Sequence, residues 1–197
     1  MAQITEVPPP GTRKSVTREL IETVVLALVV AFVIRTVLVE PYWVKGSSMA
    51  DTLHDRDRVL VNKLTYRFVA PQRGDVIVFQ YPRNPADDFI KRVVGVAGDT
   101  VELRGGKVYV NGQLFREAPQ VLPSADDFPA TTVPADSVWV LGDNRTNSED
   151  SRIFGEVPLG NIRGTAIVRI WPLTQVCRLM NPEKQAANGS RGVLTCP

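Results

Sequence analysis

Twenty residues, Leu20 to Val39 (LIETVVLALVVAFVIRTVLV), are apolar except for Glu22, Thr23, Arg35 and Thr36. No other stretch constrains the fold so tightly. As a helix the run reaches about 30 Å, the thickness of a bilayer's hydrocarbon core. Its charge-free centre, Thr23 to Ile34, is 12 residues long, which also suits a signal-peptide core or a buried helix. Two features favour a retained anchor. Glu22 and Arg35 stand near the ends, where long side chains reach the headgroups. The residues that follow, Leu38-Val39-Glu40-Pro41, contain no small-x-small cleavage pattern. Arg13, Lys14 and Arg18 precede the run, which puts the N-terminus in the cytoplasm and everything after the anchor outside it. The expected localisation is therefore the cell membrane, single-pass, with 1–19 a disordered basic tail and 20–39 a transmembrane helix.

After Pro41 the pattern changes to short apolar runs punctuated by Gly, Pro, Asn and Asp. Strands are expected at Arg58–Asn62, Asp75–Gln80, Phe89–Val96, Thr100–Arg104, Lys107–Val110, Ser137–Leu141 and Thr165–Trp171. Gly105-Gly106 and Asn111-Gly112 are hairpin-turn signals. No long helical periodicity competes. Residues 116–135, with four prolines and the pair Asp126-Asp127, read as an irregular insertion. The expectation is a mainly β, antiparallel-sheet domain over 40–176, preceded by the single N-terminal helix and followed by a C-terminal tail, 177–197.

Scarcity removes several functions. A net charge of +2, with no Lys/Arg run beyond Arg18, gives nucleic acid no footprint. One histidine, His54, and two cysteines, Cys177 and Cys196, are too few for a His-rich or four-cysteine metal site. Neither metal nor cofactor is expected. Cys177 and Cys196 either pair outside the cytoplasm or remain two unpaired thiols in a loose tail; the sequence leaves both open.

Three segments carry chemistry. Lys45-Gly46-Ser47-Ser48-Met49, then Thr52-Leu53, is a small-residue cluster that exposes a hydroxyl just past the membrane run. In Asp88-Phe89-Ile90-Lys91-Arg92-Val93-Val94-Gly95, strand alternation puts Phe89, Lys91 and Val93 on one face and Ile90, Arg92 and Val94 on the other. Arginine cannot lose its proton usefully, so Lys91 is the candidate base. Burial lowers a lysine pKa toward working pH, and the neutral amine can then take a serine proton. The third segment, Gly142 to Arg152, is a dense polar loop after an apolar strand. Taken singly, each segment also fits a turn, a snorkelling lysine or a solvated loop.

Together, in this order and spacing, the segments resemble the boxes of bacterial type I signal peptidases. Ser48-Met49 before Thr52-Leu53 resembles the nucleophile box. Lys91-Arg92-Val93-Val94-Gly95 with Gly98-Asp99 resembles the general-base box. Gly142-Asp143-Asn144-Arg145 through Ser148, Asp150, Ser151 and Arg152 resembles the last box, and Arg73-Gly74-Asp75-Val76 the remaining strand motif. The resemblance runs from the membrane segment to about Trp171. It implies Ser48 as nucleophile, Lys91 as general base and Ser148 as the group orienting the Lys91 amine. It further implies a pocket for small side chains at Tyr42, Val44, Leu53 and Ile90, and structural support from Gly142, Asp143, Asp150 and Arg152, the last two as an ion pair.

The implied function is cleavage of signal peptides from secretory preproteins, with the lipid bilayer as second partner and a monomeric enzyme. Gly46 stands where many relatives carry an oxyanion-stabilising hydroxyl, as in Gram-positive-type members. Lys45, Asp51 and Ala97 replace prolines common in the boxes. Ser47 is a rival hydroxyl, and His54 matches no catalytic position. Other readings are a Ser/Lys protease maturing one dedicated substrate, or an inactive extracytoplasmic binding domain. The latter would be expected to have lost Ser48, Lys91 or Ser148.

Overall fold

The computed structural model describes residues 16–33, 38–50, 52–117, 121–122, 124–179, 181 and 196. An exposed helix, α1 (Val16–Val33), precedes a body built almost entirely of antiparallel strands. The strands are β1 (Val39–Trp43), β2 (Arg58–Asn62), β3 (Val76–Tyr81), β4 (Asn84–Gly95), β5 (Thr100–Arg104), β6 (Lys107–Val110), β7 (Gln113–Leu114), β8 (Phe128–Thr132), β9 (Ser137–Leu141), β10 (Val157–Pro158), β11 (Ile162–Trp171) and β12 (Cys177–Arg178). Two one-turn helices, α2 (Thr65–Phe68) and α3 (Ser151–Phe154), interrupt them.

The large sheet has the order β1-β2-β11-β3-β4-β9-β10, with β12 added to β11; a smaller sheet runs β7-β6-β5-β8. Alternation builds the flank of the large sheet. In β2, Val59 and Val61 are buried while Arg58 is exposed. The centre follows the other rule. All five residues of β9 are buried, because the strand lies between β4 and β10 and both its faces are covered. Val138 and Val140 pack with Ile77, Phe79 and Val93, whereas Trp139 and Leu141 pack with Val94, Val101 and Leu103. A further cluster joins Val44, Met49 and Leu53 to Val59, Val61 and Val78.

The turn signals do what their chemistry requires. Gly105 and Gly106 have φ of +54° and +73°, and Asn111 and Gly112 have +53° and +78°. These positive values turn β5 into β6 and β6 into β7 in the sense that suits strand twist. Four of the seven expected strands land on their boundaries; β3 and β11 shift or lengthen slightly, and β4 extends back to Asn84 through a pairing with Tyr81.

Three segments gain detail. The insertion 116–135 is not wholly irregular, since Phe128–Thr132 forms β8 against β5, and Val133 is buried. Residues 118–120 and 123 lie outside the described residues. The tail 177–197 begins as strand β12, and Cys177 is bonded to Cys196; both sulfurs sit in the cluster with Met49 and Leu53. Residues 180, 182–195 and 197 lie outside the described set. Among the described residues the apolar run is helical from Leu20 to Val33, and Val39 belongs to β1; 34–37 lie outside the described residues, as do 1–15 of the basic tail. Among the described residues no helix is long and apolar enough to cross a membrane. Arg18, Glu19 and Glu22 put three charges in the 18 residues of α1.

Candidate active site

A cleft of about 690 Å3 opens between β1 and the first half of β4. Its floor is the turn that follows β1. Gly46 enables that turn with φ of +84°, and its N–H donates to Asp55 Oδ1 at 2.9 Å. The next residues, Ser47 and Ser48, face the cleft, while Met49 and Leu53 sink into the core beneath them, almost fully buried. The sequence folds this way locally because small and apolar residues alternate over a turn. Small ones remain at the surface, and the large apolar ones anchor the segment.

Lys91, on β4, reaches this turn from the opposite wall. Its Nζ lies 2.7 Å from Ser48 Oγ and donates to the Ile90 carbonyl at 3.1 Å. It also stands 5.0 Å from the centre of the Phe89 ring, consistent with Phe89 and Lys91 sharing a face. Lys91 is 4% exposed. Burial lowers its pKa from a lysine's ordinary 10.5 to about 8, against the opposing pull of Asp150, Glu149 and Asp143. The amine is thus neutral in a useful fraction of molecules near neutral pH. In that state the same contact runs the other way, with the Ser48 hydroxyl donating to nitrogen.

Asp143 ties the three segments together. Its carboxylate receives Arg92 Nε and Nη2 at 2.8 and 2.6 Å and Thr52 Oγ1 at 2.6 Å. Arg92 adjoins Lys91, and Thr52 is four residues beyond Ser48, so one buried carboxylate clamps both walls. Burial alone would raise the Asp143 pKa, but the Arg92 charge and the hydrogen bonds from Arg92 and Thr52 hold it below the carboxylate range. The loop after β9 closes over this clamp. Asn144 N–H donates to the Ser48 carbonyl at 3.0 Å. Gly142 N–H donates to Asp150 Oδ2 at 3.0 Å, and Asp150 takes Arg152 Nε and Nη2 at 2.9 Å each, the expected ion pair.

Gly142 must be glycine. A Cβ there would lie 2.2 Å from Ser148 Oγ and 2.5 Å from the Ser48 carbonyl oxygen. Ser148 is thereby packed against the turn that carries Ser48, yet its Oγ is buried without a hydrogen-bond partner among the described residues. The expected bond from Ser148 to the Lys91 amine is absent in this arrangement, where Lys91 engages Ser48 and Ile90 instead. Tyr42, Val44 and Ile90 line the cleft, and Leu53 packs fully buried behind its wall. His54 is exposed, and its N–H donates to Asp57 Oδ2 at 2.9 Å.

Sequence reasoning passed over Asn144, Asn147 and Thr52 as individuals. Asn144 Nδ2 donates to the Ser47 carbonyl at 3.2 Å, and Asn147 Nδ2 to Ser47 Oγ at 2.9 Å. For the two asparagines the signal available was the density of polar residues after β9, whereas Thr52 stood in the Ser48 segment without a role of its own. A serine and a buried lysine in hydrogen-bond contact, in a cleft walled by two strands, have the parts of a hydrolytic dyad. The chain belongs to the signal peptidase family, peptidase S26, which matches residues 17–171.

Within that family the chain is a serine endopeptidase of the signal peptidase I kind. Signal peptidase I of Leptolyngbya laminosa is 43% identical over 169 residues, 82% of this chain and 83% of that one. Signal peptidase IB of Staphylococcus aureus (strain Mu50 / ATCC 700699) is 35% identical over 189 residues, 84% of this chain and 97% of that one. The crystal structure of a signal peptidase I from Enterococcus faecalis V583 superposes with a TM-score of 0.44 at 35% identity, covering 49% of this chain and 97% of that one.

Proposed function

We propose that this chain cleaves signal peptides from secretory preproteins through a Ser48–Lys91 dyad. The observation that carries the reading is the 2.7 Å contact between Ser48 Oγ and a lysine whose pKa burial has lowered to about 8. Neutral Lys91 takes the Ser48 proton as Oγ attacks the scissile carbonyl carbon. The resulting ammonium returns a proton to the leaving amine, and water, activated by the same base, releases the acyl group. Ser148, half-buried beside the nucleophile turn, with an Oγ that has no partner among the described residues, is the proposed partner of the Lys91 amine when that ammonium forms. Gly142, Asp143, Asp150 and Arg152 hold the geometry.

Strand edges support the manner of binding. β1 is an edge strand, and β4 pairs with β9 only from Arg92 to Gly95, so residues 84–91 bond β3 alone. An extended peptide can add its backbone to these two edges, with small side chains entering beside Tyr42, Val44 and Ile90, and Leu53 forming the pocket's back wall. The apolar run 20–39, with basic residues before it, supports a single-pass anchor with the catalytic domain outside the cytoplasm. Exposed Trp43 and Trp171, with the Arg58 guanidinium 3.9 and 5.7 Å from their ring centres, suit contact with the bilayer interface. One chain contains every proposed site residue, so a monomer suffices.

The test is cleavage of a preprotein by the purified full chain in detergent micelles, with product masses identifying the cut. Wild type is expected to cut once, at the end of the signal sequence, while Ser48→Ala and Lys91→Ala do not. Wild-type rates from Ser48→Ala would overturn the dyad.

A further inference from the structure

We infer that Ser47 is a further catalytic residue, whose hydroxyl donates a hydrogen bond to the oxygen of the scissile carbonyl as it becomes an oxyanion; this rests on the dyad reading above.

Attack by Ser48 pushes the carbonyl π electrons onto oxygen, and acyl transfer is slow unless preorganised donors meet that charge. The Ser48 amide is one available donor, since it makes no hydrogen bond among the described residues. Gly46 has no side chain to supply a second, and its N–H is spent on Asp55. Ser47 is therefore the nearest candidate in sequence with a hydroxyl. It lines the same cleft as Ser48 and Lys91.

Its surroundings are those of an oriented donor. The Ser47 carbonyl accepts from Asn144 Nδ2 at 3.2 Å and from Ala50 N–H at 3.1 Å, so the backbone is pinned from two sides. Asn147 Nδ2 donates to Ser47 Oγ at 2.9 Å. An amide nitrogen only donates. The contact therefore fixes the oxygen and leaves the hydroxyl hydrogen without an acceptor among the described residues. Donation from Asn147 also polarises the hydroxyl and strengthens the bond it gives. The competition between Ser47 and Ser48 is resolved by the same contacts. Lys91 bonds Ser48 and not Ser47, so Ser47 has no base and keeps its proton throughout. Asn147 acts through Ser47 and is a positioning residue.

The experiment is steady-state kinetics of the full chain in micelles on a preprotein, with Ser47→Ala, Ser47→Thr, Asn147→Ala and the double variant Ser47→Ala/Asn147→Ala, beside Ser48→Ala. Ser47 is exposed on the cleft wall, and circular dichroism checks that each variant folds. Ser47→Ala is expected to lower kcat about 10²-fold, the loss typical of one oxyanion donor, with KM changed less than about twofold. Ser47→Thr is expected to restore most of the rate. Asn147→Ala is expected to lose less, and the double variant to be no slower than Ser47→Ala alone. A peptide aldehyde that forms a hemiacetal with Ser48 is expected to lose affinity in step with kcat/KM. Ser47→Ala with kcat within twofold of wild type, or losses at 47 and 147 that multiply, would overturn the assignment. An inactive Ser48→Ala beside a fully active Ser47→Ala removes Ser47 and leaves the dyad. An active Ser48→Ala removes both.

Discussion

Replacing Lys91 by methionine removes the charge and nearly preserves the side-chain length, so it separates what the lysine does for catalysis from what it costs the fold. Burial lowers the Lys91 pKa from 10.5 to about 8. At about 1.4 kcal/mol per unit, the charged form destabilises the folded chain by about 3 kcal/mol at pH 7. The folded pKa is the lower one, so the folded state binds fewer protons than the unfolded state. The penalty is full below about pH 8 and fades as pH climbs toward 10.5, with about 1 kcal/mol left at pH 10. Methionine forfeits the bonds to Ser48 Oγ and the Ile90 carbonyl, together about 2 kcal/mol net. Lys91→Met is therefore expected to be inactive, about 1 kcal/mol more stable than wild type at pH 7 and about 1 kcal/mol less stable at pH 10. Urea unfolding of the full chain in micelles, followed by tryptophan fluorescence at both pH values, measures this. A stability difference that does not change with pH refutes the reasoning, whatever its sign.

Other expectations follow from the same contacts. Because the base acts when neutral, kcat/KM is expected to climb about tenfold per pH unit below pH 8 and to level above it. Glu149 raises the Lys91 pKa, so Glu149→Gln should move that break to lower pH in a pH–rate profile; a break that stays or rises contradicts the assignment. Asp143→Asn leaves Arg92 buried beside a neutral partner and is expected to cost about 3–5 kcal/mol, read by urea unfolding, with a loss under about 1 kcal/mol counting against the clamp. Gly142→Ala drives a methyl group into the Ser48 carbonyl and Ser148 Oγ. It is expected to cut activity at least tenfold and stability by about 1–3 kcal/mol, with kinetics and unfolding measured on one preparation.

Much of this was legible from residue chemistry. β5, β6 and β9 stand where β-branched runs meet glycine turns, and both hairpin dipeptides adopt the positive φ that only such residues tolerate well. What stayed hidden has physical reasons. β1 contains Pro41 and continues an apolar run, so it reads as the end of a helix; as an edge strand it needs no second partner, and the proline is tolerated there. β8 carries Pro129 among polar residues and is recognisable only from its pairing with β5. Ser48 and Lys91 lie 43 residues apart, and no periodicity announces that β4 crosses over the turn after β1. Box resemblance named them; the register of β3 on β4 and the Asp143 clamp bring them together. Nothing in the sequence tells Asn147 from its polar neighbours, because its role depends on one side-chain contact across 100 residues.

The two incomplete strand edges facing the cleft have a consequence for what can be a substrate at all. An edge that seeks a backbone partner is ordinarily an aggregation hazard, but here the edges of β1 and β4 face each other across a groove. A single chain with its amides unpaired can enter it, and it must arrive stripped of its own secondary structure. On the proposed mode of binding the site would test conformation before side chains, refusing a scissile bond buried in a finished domain and accepting the same bond in a slack connector. If the substrates are the preproteins proposed above, an unfinished chain would offer such a connector and the folded one would not, so the time available for cutting would be set by how fast the cargo folds.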